Sequence, residues 1–126
     1  MKKATKKYPV LVLGHDRDES LTKTLSDFRF SPTFVGSIEA ALHALRHMQA
    51  TAILVNRDQK TADELELVLN VRDMDEKIPI LLIGSSTDKR TERILMSLPA
   101  TFLIDKPIRD TSLGRELIGL TGNPHP

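Results

Sequence analysis

Residues 78–84 read Ile-Pro-Ile-Leu-Leu-Ile-Gly, and the four uninterrupted apolar positions 80–83 decide the fold. A strand with one wet face alternates apolar and polar side chains, so a strand that is apolar throughout needs cover on both faces. Two further blocks share this character: Val10-Leu11-Val12-Leu13 and Ala52-Ile53-Leu54-Val55. Together they predict three neighbouring parallel strands at the centre of one sheet, with helices above and below. Adding two weaker β-rich blocks gives five expected strands, over residues 8–13, 31–35, 52–55, 78–83 and 102–104.

Between the strands the apolar period changes from continuous to helical. Leu21, Leu25 and Phe28 fall at i, i+4 and i+7, as do Ile38, Leu42 and Leu45. Leu65, Val68 and Leu69 are expected to form the apolar side of a third helix, and Ile94, Leu95 and Leu98 that of a fourth, which stops near Pro99. A fifth helix, running from about Asp110 to about Gly122, shows Leu113, Leu117 and Leu120. Ser37 is placed to cap the second helix, Thr61 with Glu64 forms a capping-box pattern for the third, and Thr87 or Asp88 is placed to cap the fourth.

Five strands alternating with five helices over short connections have few topological solutions, because right-handed crossovers set successive helices on the faces of one parallel sheet. The expected fold class is therefore α/β, a doubly wound (βα)5 parallel five-stranded sheet. All 126 residues form one domain in this reading, with a core over 8–121 and flexible ends at 1–7 and 123–126. Ligands of such sheets bind beyond the carboxyl ends of the strands, which directs attention to Gly14-His15-Asp16, Asn56-Arg57-Asp58, Gly84-Ser85-Ser86 and Asp105-Lys106-Pro107.

Composition narrows the function. Hydrophobic residues make up 40% and charged residues 28% of the chain, a balance that supports a packed core. No apolar run approaches the roughly 20 residues that span a bilayer, and no secretory signal pattern is present, so cytoplasmic localisation without membrane contact is expected. The absence of cysteine removes thiolate nucleophiles, disulfides and zinc–thiolate sites. A formal net charge of +1 gives no basic face for phosphates, so direct nucleic-acid contact is not expected. His43 and His47, with Glu39 a turn earlier, have a metal-compatible spacing, but they lie opposite the Leu42 and Leu45 stripe and read as a solvated face. Gly84-Ser85-Ser86-Thr87 lacks the lysine and spacing of a phosphate-binding loop. No nucleophile elbow, catalytic carboxylate pair or dinucleotide fingerprint is present. The expectation is a protein that is not an enzyme and carries no cofactor or metal.

Over residues 8–120 the chain resembles the CheY-like receiver domain of two-component response regulators, itself of the flavodoxin-like topology. The (βα)5 order, Pro79 before the fourth strand and Lys106-Pro107 after the fifth carry this resemblance. Receivers hold an acidic pair after the first strand, a phosphoacceptor aspartate after the third, a serine or threonine after the fourth, and the lysine of the Lys-Pro pair. Here the acidic pair aligns with Gly14 and His15, the phosphoacceptor with Asn56, and the hydroxyl residue with Gly84, beside Ser85. Only Lys106 is kept. The aromatic switch position of the fifth strand aligns with Leu103, and Phe102 stands one residue earlier.

Phosphoryl transfer to a carboxylate needs the carboxylate, a Mg²⁺ ion on hard oxygen ligands, and cations on the phosphoryl oxygens. An amide at Asn56 forms no acyl phosphate. The resemblance therefore implies a degenerate phosphosite (Gly14, His15, Asp16, Asn56, Asp58, Gly84, Ser85, Lys106) and a pseudo-receiver that signals through a protein partner or as a homodimer. Receivers pair through the fourth helix, fifth strand and fifth helix, which implies an interaction face at Ile94, Leu103 and Arg115. Residues 78–84 are similar to a segment in the receiver-like domain of flagellar activators that work with sigma-54, implying an N-terminal regulatory domain of a transcription activator. Two other readings stay open: a sensor of a small anion or nucleotide using the crevice around Lys106, and a working receiver phosphorylated at Asp58 or Asp16.

Overall fold

The computed structural model describes residues 7–14, 19–57, 64–75, 77–84, 89–104 and 110–122. Ten elements alternate along the chain: β1 (Tyr8–Leu13), α1 (Glu19–Asp27), β2 (Phe30–Val35), α2 (Ile38–His47), β3 (Ala52–Asn56), α3 (Glu64–Met74), β4 (Ile80–Ile83), α4 (Lys89–Met96), β5 (Thr101–Ile104) and α5 (Asp110–Thr121). The five strands form one parallel sheet in the order β2-β1-β3-β4-β5. This is the expected doubly wound fold, and the three wholly apolar strands are the central ones.

Alternation along the central strands divides the core into two layers. Leu11, Leu13, Ile53, Val55, Ile80 and Leu82 face Ala41 of α2, Leu67, Val68 and Val71 of α3, and Leu95 of α4. Val10, Val12, Ala52, Leu54, Leu81 and Ile83 face Leu25 of α1 and Leu113 and Leu117 of α5. Successive side chains on a strand point to opposite faces, so each continuous apolar block serves both layers. Burying a Leu, Ile or Val side chain is worth about 1.5–3 kcal/mol, and central positions such as Leu11, Ile53 and Leu81 are wholly inaccessible.

Several expected boundaries shift. Strand β2 begins at Phe30, whose side chain is buried, and β5 begins at Thr101. Strand β3 continues to Asn56. Strand β4 begins at Ile80, not at 78. Proline has no amide hydrogen to donate, and Pro79 instead supplies a carbonyl to the amide of Ile53 at 2.9 Å. Helix α4 ends at Met96, three residues ahead of Pro99. The expected α3 stripe is corrected as well: Leu69 is 44% exposed, while Leu67, Val68 and Val71 carry the burial. In α2 the wholly buried residue is Ala41, with Ile38, Leu42 and Leu45 partly covered around it. Ser37 caps α2 as expected, its Oγ accepting the amide of Ala40 at 3.1 Å.

Arg72 ties the amino-terminal side of β4 and β5 together. From α3 its Nη1 donates to the Asp75 carbonyl at 3.0 Å, and its Nη2 to the Ala100 carbonyl at 2.8 Å. The Ala100 carbonyl also accepts the Ile80 amide, and Ala100 itself stands at φ 49°, a conformation that costs a residue with a Cβ about 1–2 kcal/mol. Burial draws the Arg72 pKa down, against the opposing charge of Asp75.

Candidate regulatory site at the carboxyl ends of the strands

The register brings three short backbone segments level at the carboxyl edge. Leu13 pairs with Val55, and Asn56 pairs with Ile83, which pairs with Ile104. Gly14, which follows β1, and Asn56, which ends β3, therefore stand side by side, and Gly84 leaves β4 beyond Asn56. The Gly14 amide is held by the Val35 carbonyl at 2.9 Å and the Gly84 amide by the Ile104 carbonyl at 2.8 Å. Gly84 has φ 118°, a conformation open to glycine and closed to ordinary side chains. Its carbonyl accepts a hydrogen bond from the side chain of the residue after Asn56.

That residue, Arg57, is the organising side chain of the described part of the site; the sequence places it at the crevice, between Asn56 and Asp58, but assigns it no role. Its amide donates to the Ile83 carbonyl at 2.9 Å, extending the β3–β4 ladder. Its Nε donates to both Glu64 carboxylate oxygens, at 3.1 and 2.9 Å, and its Nη2 donates to Glu64 Oε1 at 2.5 Å. The same Nη2 donates to Glu92 Oε1 of α4. Nη1 donates to the Gly84 carbonyl at 3.2 Å. One guanidinium thus joins the end of β3, the start of α3, the first turn of α4 and the end of β4.

Electrostatics explain why this cation tolerates burial. The Arg57 side chain is only 3% exposed, and those of Glu64 and Glu92 are 17% and 25% exposed. Burial works against the positive form and is the largest single influence, yet the hydrogen bonds and charges of Glu64 and Glu92 together raise the pKa above its already high ordinary value. Glu64 and Glu92 also lie in the first turns of their helices, where negative charge meets the positive end of the helix dipole. The planar fork of arginine suits bidentate carboxylate contact in a way that lysine does not. The Glu64 carboxylate, expected to reach back in a capping box with Thr61, is occupied by Arg57.

Among the expected site residues, Gly14, Asn56 and Gly84 are brought together at this edge. His15, Asp16, Asp58, Ser85 and Lys106 lie outside the described residues, as do Thr61, Thr87, Asp88, Asp105 and Pro107 and the two ends, 1–6 and 123–126. Ile94 on α4 and Arg115 on α5 are exposed, whereas Leu103 on β5 is partly buried against the core layer under α4. His43 and His47 are both exposed, their rings 4.6 Å apart, and no group of three or more metal-ligating side chains forms among the described residues. No described helix is long and apolar enough to cross a membrane. A cavity of about 320 Å³, lined by Leu45, Met48, Val71, Met74 and Ile78 among others, lies between the carboxyl ends of α2 and α3, at the opposite end of the sheet.

No protein-family model matches the chain, and no curated protein matches it. Solved structures do. The signal receiver domain of an HD domain-containing protein from Pseudomonas fluorescens Pf-5 is similar with a TM-score of 0.78 at 14% identity, over 97% of this chain and 92% of that one. The chemotaxis response regulator CheY4 of Vibrio cholerae gives 0.73 at 18% identity, over 92% and 99%. Full-length FixJ from B. japonicum gives 0.77 at 23% identity over 92% of this chain, which spans 58% of that longer protein. The strand order, the two-layer packing and these likenesses agree: the chain has the CheY-like fold of response-regulator receiver domains.

Proposed function

We propose that this chain is a regulatory module of receiver fold that acts by binding protein, without an aspartyl phosphate and without catalysis of its own. The observation that carries the reading is Asn56, the last residue of β3, standing where a receiver needs its acceptor carboxylate. An amide offers no carboxylate oxygen to take a phosphoryl group. Gly14, beside it, offers no side chain to a metal. Two unit charges about 4 Å apart interact by roughly 4 kcal/mol at an intermediate effective dielectric, so each missing carboxylate weakens Mg²⁺ binding substantially. Arg57 adds a cation to this edge, already neutralised by Glu64 and Glu92.

A role as the regulatory domain of a transcription activator is part of this reading. It is supported by the similarity of residues 78–84 to flagellar activators, and by the receiver fold forming part of longer chains such as FixJ. The test is intact-mass spectrometry of the full chain after incubation with acetyl phosphate and Mg²⁺. No phosphate adduct is expected. An adduct mapped to Asp58 or Asp16 would show a working receiver and end this reading.

A further inference from the structure

The large apolar side chains exposed among the described residues all stand on two adjoining helices: Leu69 and Met74 on α3, Ile94 and Met96 on α4. The charges around them differ in sign. On α3 the exposed ionised residues include Glu66 and Asp73, while on α4 they are Lys89, Arg90 and Arg93. One helix thus shows acid beside apolar surface, and its neighbour shows base beside apolar surface.

Arg57 sets the relative height of these two helices. Its Nη2 contacts both Glu64 and Glu92, so these residues are roughly level. Both helices follow strands of one parallel sheet and run in the same direction, rising about 1.5 Å per residue. Glu66 is then level with Arg93 and Ile94, and Leu69 with Met96 and Ser97. Each helix presents its charge and its apolar side chain three residues apart, at matching heights.

We propose that the α3–α4 face binds a second copy of this chain. A two-fold axis running along the groove between α3 and α4 lays α3 of each copy over α4 of the other. Glu66 then meets Arg93 and Leu69 meets Met96, and symmetry repeats both contacts. The charge pattern singles out a second copy as the partner: a surface of one sign would be repelled by one of the two helices, whereas the same face turned through the axis answers both. The proposal rests on the reading above only in taking protein binding as the mode of action.

Sedimentation of the full chain without phosphodonor tests it. The wild type is expected to dimerise, and Glu66→Arg and Arg93→Glu are each expected to weaken the dimer by about tenfold or more. An equimolar mixture of the two variants regains it, because every pair across that heterodimer is again of opposite sign. Circular dichroism checks that both variants remain folded; Lys23→Glu on the exposed side of α1 is the neutral comparison, and Arg115→Glu on α5 tests the rival face that the resemblance implied, with the dimer expected to survive it. A wild type that stays monomeric at all concentrations overturns the proposal. So do variants that dimerise like wild type, a mixture that fails to recover, or loss of the dimer in Arg115→Glu alone. A phosphate adduct with this dimer intact would sink the proposed function and leave the interface standing; a monomer that takes no phosphate does the reverse.

Discussion

Arg57 illustrates how one residue settles the arrangement of four elements. Replacing it with methionine keeps most of the apolar stem but leaves the Glu64 and Glu92 carboxylates facing each other without a cation. Breaking a buried pair by removing one partner costs about 3–5 kcal/mol; the partial exposure of these carboxylates lowers the expectation for Arg57→Met to about 2–3 kcal/mol, read as a shift in the urea midpoint. Glu92→Gln keeps an oxygen acceptor and is expected to cost about 1 kcal/mol. The pH dependence follows from the raised Arg57 pKa. A cation with a raised folded pKa contributes stability that is complete below its unfolded pKa and is lost as pH rises through the folded one. Both lie far above neutrality, so Arg57→Met and wild type should differ by the same amount at about pH 7 and about pH 9.5. Urea titrations at the two values check this; a gap that closes at the higher pH contradicts the assignment.

At the scale of elements, the period of apolar residues revealed the strands and which three are central, because a strand buried on both faces leaves an uninterrupted apolar run. Helix faces were less legible. Leu65, Val68 and Leu69 are equally apolar in sequence, yet Leu69 is 44% exposed; the direction of α3 is set by the sheet beneath it and by Glu64 reaching Arg57, neither of which a local period encodes. The role of Arg57 escaped notice for a related reason. Its partners lie 7 and 35 residues away, and only tertiary structure brings them to one guanidinium. The signal available in the sequence was an arginine directly after a buried strand, where a cation demands carboxylates. Gly114 in α5 was equally silent: a Cβ there would stand 2.4 Å from the Phe28 ring and 2.6 Å from its Cγ, too close to the root of the ring for an easy swing away. Alanine is favoured over glycine in a helix by about 1 kcal/mol, but overpacking costs about 1–3 kcal/mol. Gly114→Ala is therefore expected to lower the melting temperature, and Phe28→Leu in the same chain to recover part of the loss. A Gly114→Ala protein more stable than wild type would show that α1 and α5 are not packed this closely.

For the whole molecule, the fold and the chemistry at its edge lead to different conclusions. The two core layers and the register put the carboxyl ends of β1, β3 and β4 at one edge of the sheet, and on the proposed reading Asn56 and Gly14 there lack the carboxylates that phosphoryl transfer requires. The residue types behind that proposal were legible in the sequence, since they depend only on which residues stand at the end of each strand. It could not show Arg57, Glu64 and Glu92 linking α3 to α4 across that edge, because their meeting depends on the sheet order. The most direct measurement is an amide NMR titration of the full chain with Mg²⁺ and beryllofluoride, a mimic of the aspartyl phosphate, with Asn56→Asp titrated alongside. The native chain is expected to show no saturable shifts at residues 14–16, 56–58 and 84–86. Saturable shifts clustered at those residues in the native chain would contradict the proposed reading, because they would mean that a phosphosite still operates without a carboxylate at Asn56.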